Sequence, residues 1–207
     1  MRNPQVSPVI RRLAVPLLFL TAALTLVYAL PLLVPVVKAE KAVNEKAATQ
    51  NTAAEILRDN SILPEAVARI RTAMLSAAMS GEIEALRVPV EMNEIPPMVA
   101  REKVSDPIAY WRKIGRDGEG REIMAIMIEL FRTGFVRKAP GTGDEMYIWP
   151  YFAEIPLDKL TPAQEVELLT LVTPDQMKAM RASGKYDHYR IGIAHDGTWH
   201  FFWNGAE

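Results

Sequence analysis

The chain has 207 residues, 49% hydrophobic and 24% charged, the composition of an ordinary globular protein with one unusual end. It has no cysteine, which excludes disulfides, thiolate chemistry, Cys-ligated zinc, iron–sulfur clusters and a lipid-modified N-terminal cysteine. Residues 40–207 carry 20 basic against 25 acidic groups, a net charge of −5, and no basic run, so nucleic acid is not expected as a partner.

Residues 1–39 hold Arg2, Arg11, Arg12 and Lys38 and no acidic group. Between Arg12 and Lys38 runs "LAVPLLFLTAALTLVYALPLLVPVV" without a charge, and roughly 20 apolar residues in a helix suffice to cross a bilayer. The arginines precede the run, so the N-terminus stays inside and the remainder is sent outward. Two expectations compete for 1–39. One is a signal peptide cut after "VYA" (Val27 to Ala29) or "VKA" (Val37 to Ala39); the other is an uncleaved anchor that joins the membrane through 13–37. Its length favours the anchor, and Pro31 and Pro35 temper that choice. Either way the expected location is the periplasm, in or next to the inner membrane.

Residues 40–61 are polar and Ala-rich and read as a tether to one domain over 62–207. Pro64 suits a first helical residue, and Val67, Ile70, Met74 and Ala78 follow at helical spacing. "EIEALR" predicts a second short helix; Pro89, Pro96 and Pro97 then mark an irregular crossing. "AAMSGEIEAL" is similar to one ankyrin unit, but a single copy cannot build a stacked core. Ser105 or Asp106 caps a helix from Pro107, and "GRDGEG" reads as a turn rather than a dinucleotide loop. "REIMAIMIELFRTG", apolar on nearly every side, predicts a central helix stopped by Gly134. Its methionines read as core filling rather than a metal or cofactor site.

A hairpin of about 135–138 with 146–152 comes next. Thr161-Pro162-Ala163-Gln164 and Thr173-Pro174-Asp175-Gln176 then spell the same capping box twice, predicting two short helices. A second hairpin closes the chain. With His195-Asp196 in a type I turn and Gly197 as a left-handed bulge, Ile191, Ile193, Trp199, Phe201 and Trp203 share one face. Arg190, Gly192, His200 and Phe202 take the other. The three histidines cannot reach one metal, since His188 and His200 lie about four rungs, or some 13 Å, apart. Each reads as solvated. No metal or other cofactor is expected.

The expected fold is therefore α+β: about five or six helices on a small antiparallel sheet made of the two hairpins, after one N-terminal hydrophobic helix. Ten of sixteen aromatics fall in 146–207, more than one small sheet face can bury. Some should line an exposed surface, which predicts a non-enzymatic domain binding an envelope protein, a glycan or another ligand. The expected contacts are Tyr147, Tyr151, His200 and Phe202. The alternative is an envelope hydrolase with Glu154, Asp187 and His200 as acid–base groups, which requires convergence in one cleft. Asp144, Glu145 and Glu154 around "MYIWPYF" otherwise read as solvated loop carboxylates.

"HDGTWHFFWNG" resembles one aromatic hairpin of the choline- and glucan-binding repeat proteins, which act through several copies. More broadly, "AAMSGEIEALR", "DPIAYW" with "GEGREI", "EMYIWPYFAEIPLDKLTPAQEVEL" and "YRIGIAHDGTWHFFWNG" resemble a group of uncharacterised exported proteins of alphaproteobacteria. That resemblance spans roughly 62–205. It implies export and a single domain, and it carries no activity and no functional residue.

Overall fold

Thr161 and Thr173 each open a helix with a complete capping box. The threonine side chain accepts from the third helical N–H, and the glutamine there accepts from the threonine N–H at 2.8 Å. These helices belong to a computed structural model that describes residues 54–205. The expected helix of 13–37, its cleavage sites and residues 40–53 lie outside the described residues. Among those described, no helix is long and apolar enough to cross a membrane. Thr173→Ala is expected to lower stability by about 1 kcal/mol. This is readable as a lower denaturant midpoint with an unchanged slope.

Six α-helices are described: α1 (Glu65–Met79), α2 (Arg87–Glu91), α3 (Pro107–Ile114), α4 (Arg121–Arg132), α5 (Pro162–Leu168) and α6 (Pro174–Ser183). Pro64 caps α1 rather than beginning it. "EIEAL" forms a 3-10 turn over Ile83–Leu86 that runs into α2, so Pro89 sits inside a helix and not at a crossing. It is tolerated because it lies in the first turn, where its missing N–H has no partner to lose. Asp106 caps α3, accepting from the Ile108 and Ala109 N–H groups. Asp117 closes the "GRDGEG" turn by accepting from the Glu119, Gly120 and Arg121 N–H groups.

Five strands form one antiparallel meander: β1 (Ile56–Leu57), β2 (Phe135–Lys138), β3 (Met146–Trp149), β4 (Tyr189–Ala194) and β5 (Trp199–Asn204). The sheet is thus more than two hairpins. Ile56 and Leu57, expected in the tether, pair with Val136 and Phe135 of β2. Two residues carry no strand pattern of their own; the free edge of β2 selects them. Gly134 permits that approach, because a Cβ there would lie 2.9 Å from the Leu57 carbonyl oxygen.

The last hairpin keeps the expected turn and departs from the expected register beyond it. Gly197 is left-handed at φ 90°, and Ile193 pairs with Trp199 as the bulged turn requires. Gly192 then pairs with Phe201 and Ile191 with Phe202, leaving His200 as an extra residue on β5. Beyond that bulge the faces exchange. Ile191, Ile193, Trp199 and Phe202 point into the core, while Phe201 and Trp203 turn to the outer face. Gly192 makes room there: a Cβ would lie 2.3 Å from the Phe201 ring.

Each sheet face has its own core. The inner face, with Phe135, Tyr147, Trp149, Ile191, Trp199 and Phe202, packs against α1–α4. The outer face, through Val136, gathers Tyr151, Phe152, Leu168, Met180 and Tyr186 beneath α5 and α6. Two cores absorb the aromatic surplus that one face could not. Of the ten C-terminal aromatics, only Phe201 and Trp203 escape full burial.

Candidate functional site

The segment between α2 and α3 gathers three exposed apolar side chains, Met92, Ile95 and Met98. The Asn93 side chain clasps the Trp199 backbone, donating to its carbonyl oxygen at 2.9 Å and accepting from its N–H at 3.0 Å. Pro96 and Pro97 favour an extended path. Met98 then bridges β5 in parallel, donating to the His200 carbonyl oxygen at 2.9 Å and accepting from the Phe202 N–H at 3.0 Å. The edge of β5 is covered by this segment, whose Met98 backbone and Asn93 side chain are engaged while several apolar side chains remain exposed. Met92, Ile95 and Met98 are 45%, 78% and 43% exposed, and Val88, one turn before Met92, is 64% exposed.

Two clefts flank this ledge. One of about 360 Å³ is lined by Ala66, Arg69, Met92, Glu94, Ile95 and Asp196. The other, of about 680 Å³, is lined by Ile95, Pro97, Met98, Val104, Trp199 and His200. Ile95 and Thr198 line both, so the apolar surface continues from one cleft to the next.

The structure separates the residues expected to bind. His200 is exposed and lines the larger cleft, because the bulge turns it out of the ladder. Tyr147, Tyr151 and Phe202 are buried and are not surface contacts. Phe202 is carried inward by the same bulge. Tyr147 donates to Glu145 at 2.9 Å, Tyr151 to Glu167 at 2.8 Å, and burial pushes the Tyr147 hydroxyl up to about 12. The hydrolase set does not assemble either. Glu154 pairs with Lys138 at 3.1 Å, and Asp187 lines a third cleft, away from the one that holds His200. Among the described residues, no group of three or more His, Asp or Glu could hold a metal ion.

Two polar residues differ from the solvated state expected of them. Glu145 is 4% exposed and joins the two hairpins. It accepts from Arg137 Nε and Nη2, both at 2.9 Å, from the Gly141 N–H, from the Tyr147 hydroxyl and from His195 Nδ1 at 2.9 Å. The Arg137 guanidinium, then the Gly141 N–H, hold this carboxyl far below the usual carboxylate range. His188 is wedged edge-on between Tyr186 and Tyr189, with ring centroids at 6.5 and 5.3 Å, and burial lowers its pKa. The ledge was missed as well, since prolines and scattered methionines in an aperiodic stretch have no pattern that announces exposure. No protein-family model, curated protein or solved structure matches this chain.

Proposed function

We propose that this is an exported envelope protein whose 54–205 domain binds a protein partner through the Val88–Met98 ledge. The carrying observation is the run of exposed Val88, Met92, Ile95 and Met98 beside a cleft of about 680 Å³. Contiguous apolar surface of this kind marks interaction sites, and flexible thioether side chains repack against varied shapes. The ledge offers aliphatic and thioether groups and no exposed aromatic face. That favours an apolar protein segment over a glycan. Export rests on the charge asymmetry and length of the 13–37 run.

A photo-reactive residue at position 95, placed in the full chain in intact cells, tests both parts. The expected result is one discrete protein adduct in the membrane or periplasmic fraction, abolished by Met92→Asp together with Met98→Asp. The same probe at Lys178 should give no such band. Equal labelling from both positions, adducts with lipid alone or with a second copy of this chain, or a cytoplasmic product would overturn the proposal.

A further inference from the structure

Arg190 projects from β4 onto the outer face, across from Trp203 of β5. One guanidinium nitrogen, Nη2, donates to the Tyr186 carbonyl oxygen, and the group lies 5.5 Å from the Tyr186 ring centroid. Its buried Nε–H has no partner among the described residues. Arg71 and Arg181 share such an orphaned Nε–H, so what sets Arg190 apart is the lack of a carboxylate partner beside a cleft. Arg58 grips Glu167, Arg137 grips Glu145 and Arg181 grips Glu165. Among the described residues Arg190 makes no ion pair: Glu154 is taken by Lys138, and Asp187 acts on it only from longer range. Arg71 also rests on a carbonyl and a ring, those of Phe131, but it packs between α1 and α4.

Arg190 instead opens on a cleft of about 350 Å³, lined also by Lys185, Asp187, Ile155, Trp203 and Gly205. Gly205 keeps the guanidinium uncrowded, since a Cβ there would lie 2.5 Å from Nη2. Burial lowers the Arg190 pKa, opposed by Tyr186, Glu154 and Asp187. A desolvated cation without a counter-charge costs free energy unless something pairs with it.

We infer that this cleft binds a small monoanionic carboxylate with an apolar or aromatic body, its carboxylate on Arg190 and Lys185 and its body on Trp203 and Ile155. The planar guanidinium matches a carboxylate in geometry. Asp187 in the lining and Glu154 within electrostatic range of Arg190 disfavour a doubly charged group such as phosphate. The volume suits the small end of ligand sites. This site is separate from the ledge, so either proposal can fail alone.

The test is a titration of the full chain with benzoate, benzamide and inorganic phosphate, followed through the Trp203 indole N–H in NMR spectra. Benzoate should give saturable shifts at millimolar concentration, and neutral benzamide should bind at least about tenfold more weakly, a 1.4 kcal/mol difference. Arg190→Gln should abolish benzoate binding, Arg190→Lys should retain part of it, and Arg132→Gln should leave it unchanged. Should Arg190→Gln fail to fold, Lys185→Gln, at an exposed position of the same lining, is expected to weaken benzoate binding while the Trp203 signal remains readable and the denaturant midpoint holds. Equal binding of benzoate and benzamide, phosphate binding the tighter, or no saturation by about 10 mM would overturn the assignment.

Discussion

Replacing Trp111 by alanine is expected to cost about 3–5 kcal/mol, a large share of the 5–15 kcal/mol that holds a typical domain together. Trp111 is fully buried on α3 and stacks on Trp199 of β5, with centroids 5.6 Å apart and planes at 20°. It also meets Phe202 at 5.6 Å. These three rings join the helical layer to the last strand, so truncating one leaves a cavity that two rigid neighbours cannot fill. The milder substitutions should differ in an informative way. Trp111 Nε1 has no hydrogen-bond partner among the described residues, whereas Trp199 Nε1 donates to the Phe201 carbonyl oxygen at 3.0 Å. Trp199→Phe forfeits that bond, while Trp111→Phe removes an unsatisfied N–H. Denaturant titration followed by circular dichroism should rank Trp111→Ala as worst, Trp199→Phe next and Trp111→Phe mildest. A Trp111→Ala variant within about 1 kcal/mol of the parent would refute the account.

The second large effect is expected at Glu145. Glu145→Ala strands the buried Tyr147 hydroxyl, at a cost of about 1–3 kcal/mol, and frees Arg137 and the Gly141 N–H that shape the β2–β3 turn. The pH dependence follows from the sign of the shift. The folded-state pKa lies below that of the unfolded chain, so the carboxylate's contribution is complete above the ordinary Glu range near 4.3. It is lost as pH falls below that range. The stability gap between the parent and Glu145→Gln should therefore be wide at neutral pH and narrow at about pH 3. A gap that stays constant between those conditions would show that Glu145 acts through shape alone.

The ledge and the Arg190 cleft were illegible for related reasons. Strand alternation assigns Phe201 and Trp203 to a face only when the register is known, and one extra residue reverses the assignment. The bulge at His200 depends on Met98, some hundred positions earlier in the chain, which takes up the His200 and Phe202 backbone groups. A local reading of "HDGTWHFFWNG" could settle the turn at Gly197 but not the strand beyond it. Arg190 looks like any polar strand residue until the Tyr186 carbonyl, Gly205 and Trp203 surround it.

Short-range chemistry was readable from the residues themselves: both threonine capping boxes, a cap at Ser105 or Asp106 before Pro107, the glycine turn of the last hairpin and the α+β class. Each depends on groups within a few positions of one another, so the chain order contains the whole interaction. Helix α4, by contrast, expected to be buried on nearly every side, buries one face and exposes Arg121, Ala125 and Arg132. The tertiary structure alone decided that Ile56 and Leu57 would become a fifth strand and that a second core would cover the outer face. It also decided that Tyr147, Tyr151 and Phe202 would be buried while Met92, Ile95 and Met98 remained exposed. Those outcomes turn on which distant segment reaches a free strand edge or an uncovered sheet face first in free energy, and no local pattern encodes that competition.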